Sequence, residues 1–158
     1  MDNTGVDVHS PSRGSLRSAE NQIRDLLEDR ARAFRTKDAG AVLALHASEN
    51  VRFLLAPPLQ YVSNEGGGRE GLEKWFATFD GAIGYESREV HIVADDQVAY
   101  GHGLQRLHGV QHRRPLDLWL RETLCFRRIE GAWKITHQHQ SVPFHMDGSY
   151  KAAVDLKP

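Results

Sequence analysis

The chain has 158 residues, 40% of them hydrophobic, which suffices for one domain with its own core and is too little for two. With 20 basic and 21 acidic side chains the formal net charge is -1, so no bulk attraction to nucleic acid or to an anionic membrane is expected. The single cysteine, Cys125, excludes an intramolecular disulfide, and neither a membrane-spanning apolar run nor a basic-then-apolar leader is evident, so the chain reads as soluble and cytoplasmic.

Residues 1–15 are polar and read as a flexible tail. From Ser18 the apolar residues Ile23, Leu26, Leu27, Ala31 and Phe34 follow helical spacing, with Arg24, Asp25, Glu28 and Arg32 opposite. Lys37-Asp38-Ala39-Gly40 ends this helix, and residues 41–46 read as a short second one whose closing His46 is expected in solvent. Residues 51–55 and 60–63 read as short strands around Pro57-Pro58, and 64–68 as a glycine-rich loop lacking the Lys-Ser/Thr ending of a phosphate-binding loop. A third helix follows, with Leu72, Trp75, Phe76 and Phe79 on one stripe. Segments 85–94, 98–110, 115–129 and 133–144 are rich in β-formers and separated by short turns, which predicts an antiparallel meander. Helices first and strands afterwards indicate an α+β domain.

In a strand, alternate side chains share a face, so His137, His139 and Ser141 stand side by side. In the preceding segment the odd phase holds Asp117, Trp119, Arg121, Thr123 and Cys125. The even phase holds Leu116, Leu118, Leu120, Glu122, Leu124 and Phe126. The even phase suits packing against helices or a second copy, and alternation alone leaves either phase free to face inward. The pair His137 and His139 has the spacing of a metal site, but a third ligand would have to come from His145, His102, His91 or Asp117, and no metal is expected.

The first helix ending near Lys37-Asp38, the Gly68-Arg-Glu-Gly-Leu72 run and the closing Trp133-Lys-Ile-Thr-His-Gln-His-Gln-Ser-Val-Pro-Phe144 resemble the SnoaL-like and ketosteroid-isomerase-like group of the nuclear-transport-factor-two superfamily, over about residues 18–158. The resemblance implies a cone: a curved sheet wrapped around the long first helix, open at one end onto an apolar pocket, in a homodimer packed sheet to sheet. It implies a single domain over 16–144 and an extension over 145–158 lying on the domain or on the partner. Ketosteroid isomerases use a tyrosine and two aspartic acids. By rough register these positions carry Arg30, Leu54 and Thr123 or Leu124 here, so that mechanism is not expected.

The resemblance also places Arg121 and Thr123 inside the cone with the histidines. His137, His139 and Arg121 are then the expected catalytic set, the histidines moving a proton near neutral pH and Arg121 binding a carboxylate or enolate oxygen. Thr123, Ser141, Trp119, Tyr61, Trp75 and Phe53 are the expected ligand contacts. The implied activity is a cofactor-free isomerase or lyase acting on a small apolar carbonyl compound. A non-catalytic homodimeric binding or accessory domain is the alternative.

Overall fold

The computed structural model describes residues 13–63 and 65–158. Helix α1 spans Arg13–Arg35, α2 Ala39–Ala44 and α3 Gly68–Phe76. The strands are β1 His46–Phe53, β2 Tyr61–Val62, β3 Phe79–Ala94, β4 Val98–Gln111, β5 Arg114–Ile129 and β6 Ala132–Ser141. Most of the tail expected over residues 1–15 lies outside the described residues, although its last three are already helical.

The end of α1 is set by Lys37, whose φ of 56° lies in the left-handed region. Its amide donates to Phe34 O and that of Asp38 to Ala33 O at 2.8 Å, which closes the helix with the paired bonds of a Schellman motif. The Asp38 side chain then caps α2, accepting from Ala41 N at 2.9 Å. The helix therefore begins two residues before the expected start. Phe79, expected on the third helix, opens β3 instead and meets Trp75 edge to face at 5.0 Å.

One six-stranded sheet runs in the order β2-β1-β6-β5-β4-β3. β3 to β6 form the antiparallel meander, while β1 pairs parallel with β6. Two-residue turns join the last strands, with both central residues at positive φ (His112 and Arg113; Glu130 and Gly131), matching strand twist. Register shifts in β3 at Arg88/His91 and between β5 and β6 at Cys125/Phe126 mark bulges, which bend a sheet.

The N-terminal half of α1 packs Ala19, Ile23 and Leu26 on the concave face, against Ile92, Leu124, Phe126 and Ile135. Phe126 and Ile135 are fully buried, each worth roughly 1.5–3 kcal/mol of apolar transfer. A second cluster joins Ala33 and Phe34 to Val42, Phe76, Phe79 and Ile83. Between this cluster and the turn before α3 the interior stays open. The turn is held close by Gly71: a Cβ there would stand 1.8 Å from the Gly66 carbonyl oxygen, so only glycine lets α3 start against it.

After β6 the chain folds back, with His145 N donating to Lys151 O and Ala153 N to Pro143 O. Ala153 is buried, and Lys157 Nζ reaches Asp117 O at 2.7 Å, so the C-terminal extension lies on its own domain. No helix among the described residues is long and apolar enough to cross a membrane.

Candidate functional site

A cavity of about 390 Å³ opens beside the C-terminal half of α1. Its walls are apolar: Phe34, Leu72 and Trp75 from the helices, and Leu107, Leu116, Leu118 and Leu120 from the sheet. The even phase of β5 therefore faces inward, because its leucines are what the helices and cavity bury. Glu122 belongs to that phase and must go in with them.

Glu122 is received by a complete set of donors. Arg30, 2% exposed, grips it with both ends of its fork: Nη1 donates to Oε2 at 2.9 Å and Nη2 to Oε1 at 3.0 Å. Gln138 Nε2 and Gln140 Nε2 each donate to Oε1 at 2.9 Å. Burial by itself would raise the Glu122 carboxyl, but the Arg30 charge and these hydrogen bonds outweigh it and hold it below its ordinary value. The inward residues of β6 are thus Gln138 and Gln140, which line the cavity.

Three further buried polar atoms on cavity-lining residues, Tyr85 Oη, His46 Nε2 and Arg52 Nε, hold no close hydrogen bond. Tyr85, on β3, stacks on Phe34 with ring centroids 4.3 Å apart, and its buried Oη makes no hydrogen bond. The Arg30 guanidinium carbon lies 5.4 Å from the same ring. Burial raises the phenol, Arg30 opposes this and Glu122 reinforces it, so Tyr85 stays protonated and can donate. His46, which opens β1, lies 3.0 Å through Nδ1 from Val42 O. A carbonyl only accepts, so Nδ1 carries the proton and the buried Nε2, with Gln138 alongside but no close hydrogen bond, presents a lone pair. Burial above all, with the charges of Arg30 and Arg52, holds His46 down at about 4. His46 is therefore neutral near pH 7, where the sequence suggested a solvated residue.

The match to a family model described as a SnoaL-like domain covers residues 23–145. The chain belongs to the SnoaL-like family. Among solved structures this SnoaL-like chain is similar to an NTF2-like protein of unknown function from Pseudomonas putida KT2440, at 29% identity and a TM-score of 0.80, covering 90% of this chain and 98% of that one. It shares the fold with a candidate scytalone dehydratase from Novosphingobium aromaticivorans at 14% identity and a TM-score of 0.70, over 90% and 95% of the two chains. A candidate ketosteroid isomerase from Shewanella frigidimarina is similar at 16% identity and a TM-score of 0.59, over 74% and 92%. The comparison with curated proteins returns no match.

The residues expected at the site fall into two groups. Tyr61 and Trp75 line the cavity. His137, His139, Arg121, Thr123 and Ser141 do come together: Arg121 Nε donates to Ser141 Oγ at 3.1 Å, and Thr123 pairs across strands with His139. They do so on the convex face, because they alternate with Glu122, Gln138 and Gln140, which are turned in. Their expected place on the pocket floor is thereby corrected. Phe53 accompanies them, edge to face with His137 at 4.8 Å and His139 at 5.4 Å, and is not a pocket wall. Trp119 shares this face, its ring flanked by Arg88 and Arg106 at 5.5 and 5.8 Å. Among the described residues no group of three or more His, Cys, Asp or Glu side chains is arranged to hold a metal ion. The sequence reading missed His46, Tyr85, Arg30 and Glu122. The signal it offered was a charged residue in an otherwise apolar strand phase, which demands a buried partner.

Proposed function

We propose that the chain binds a compact, mainly apolar carbonyl compound in this cavity and moves a proton within it, as a cofactor-free isomerase or lyase. One observation carries the reading. A single apolar cavity presents an acceptor, His46 Nε2, with Gln138 alongside, and a donor, Tyr85 Oη, with Arg30 alongside, both buried and neither held by a close hydrogen bond among the described residues. Tyr85 would donate to the carbonyl oxygen, which acidifies the neighbouring C–H, and His46 Nε2 would accept that proton. The proton returns to another carbon in an isomerisation, or a hydroxide leaves with it in a dehydration. Relatives described as a candidate dehydratase and a candidate isomerase support this reaction class.

Binding without turnover is the second reading, favoured by the low basicity of His46. The two separate cleanly. Small carbonyl compounds are screened by thermal shift, and the best binder is incubated in heavy water while NMR follows deuterium entering beside the carbonyl. Proton transfer predicts label uptake by the wild type, slowed about 10²–10⁴-fold in His46→Gln and in Tyr85→Phe. Tight binding with no label uptake leaves the second reading standing, and absence of any cavity ligand defeats both.

We also infer that two copies join through the convex face, where Val93 and Tyr100 are paired across β3 and β4 and remain 52% and 47% exposed. Light scattering should give twice the chain mass, falling to one chain in Tyr100→Glu; a wild-type monomer at high concentration refutes the pairing.

A further inference from the structure

The chemical class of the ligand is narrowed by Arg52, on the reading that the cavity holds a small carbonyl compound. Arg52 projects from β1 beside Gln138 of β6 and lines the same cavity as His46 and Tyr85. One corner of its guanidinium is engaged, with Nη2 donating to Ser63 O at 2.8 Å and to Glu65 O at 3.0 Å. The Tyr61 ring lies against it, 5.5 Å from centroid to guanidinium carbon. Carbonyl oxygens and a ring face fix where the group sits without cancelling its charge.

It has no direct ion pair. Arg30 is matched by Glu122 and Arg106 by Asp117, yet no carboxylate among the described residues lies within 4.0 Å of the Arg52 nitrogens. Glu65, the acid at the same rim, turns its Oε2 to the Val62 amide at 2.7 Å. Arg52 Nε is buried and makes no hydrogen bond. Burial pulls Arg52 below its ordinary value, while Tyr61 and Glu65 act the other way. Nη2 is taken by the two carbonyls, so the group is positioned and partly desolvated while Nη1 holds no hydrogen bond among the described residues, and a cation with one donor edge to spare fits a carboxylate.

We propose that Arg52 is an anion anchor and that the compound the cavity takes is an oxo- or hydroxy-acid: a carboxylate at Arg52, an apolar body against Leu54, Leu72 and Trp75, and the carbonyl or hydroxyl at His46 and Tyr85. Arg52 positions the ligand and takes no part in moving the proton.

The test uses two probes of equal shape, 2-naphthoate and 2-naphthamide, titrated calorimetrically at pH 7.5 into the wild type, Arg52→Gln and Arg52→Lys. The wild type is expected to bind the carboxylate about tenfold or more tighter than the amide. Arg52→Gln should bring naphthoate down to the amide's affinity while the amide changes by no more than about twofold. Arg52→Lys, which keeps the charge and loses the fork, should retain part of the preference. Equal affinities in the wild type, or a preference that survives in Arg52→Gln, would overturn the anchor while normal amide binding leaves the cavity reading intact. Should Arg52→Gln lose both probes through damage to the Ser63–Glu65 turn, Arg52→Lys decides: a remaining preference for naphthoate supports the anchor, and none refutes it. If neither probe binds the wild type, the cavity reading falls and takes the anchor with it.

Discussion

Glu122→Ala is expected to lower stability by about 3–5 kcal/mol, because it breaks a buried ion pair. The residue is only 8% exposed and its partner Arg30 only 2%, so removing the carboxylate strands a guanidinium where water cannot reach it. Gln138 and Gln140 lose their shared acceptor at the same time. Arg30→Met is the converse case and should cost a similar amount, because the carboxylate then keeps its burial penalty without its charge partner. Replacing both, as in Arg30→Met with Glu122→Leu, removes both desolvation costs and should fall well short of the sum of the single losses. Urea unfolding of the wild type, the two single variants and the double variant measures the coupling. Additive losses, or a Glu122→Ala cost below about 1 kcal/mol, would mean that water or a rearranged side chain replaces the partner.

The pH dependence of this pair follows from the same geometry. The folded Glu122 carboxyl is held below its unfolded value, so the folded state binds fewer protons there. Its contribution is fully present above the unfolded carboxyl range and is lost as pH falls through the lower, folded value. Glu122→Ala should therefore show a shallower acid limb than the wild type.

How the fold was written in the chain and how the site was hidden come down to range. The meander of β3 to β6 is legible because its strands are long and its turns short, so each pairing is local in sequence. The parallel pairing of β1 with β6 joins residues some ninety apart, such as Phe53 with His139, and no periodicity announces it. The long helix is legible from its apolar stripe. Arg30 interrupts that stripe, four residues after Leu26 and four before Phe34, much as Glu122 interrupts the leucines of β5. Read together, the two charges require each other, and their pairing decides that the leucine phase and Gln138 face inward. Histidines draw the eye because they titrate near neutrality, whereas the glutamines beside them are what a buried carboxylate needs. His46 could not be placed from its neighbours at all, since its burial arises where β1 meets β6 and the cavity.

His46 should make the protein lose about 3 kcal/mol of stability between pH 7 and pH 4. The folded residue is held at about 4 against an ordinary 6.5, because the ring is buried near Arg30 and Arg52. As pH drops below 6.5 the unfolded chain takes up a proton that folded His46 refuses. The unfolded state then binds more protons, so stability falls with pH until the folded ring also titrates near 4. Glu122 adds its own loss only at or below the ordinary carboxyl range, so unfolding between pH 7 and 4.5 isolates the histidine. In His46→Gln this part of the slope should vanish, whatever the other histidines contribute, since they are common to both proteins. Equal slopes in the two would show that the ring is solvated or already charged. Ligand binding ties this to function: a hydroxyl or C–H group donating to Nε2 competes with the proton for the same lone pair. Affinity for such a ligand should therefore hold steady from pH 8 to about 5 and decline as pH approaches 4. A group with an unshifted histidine value would instead begin to lose its ligand near 6.5.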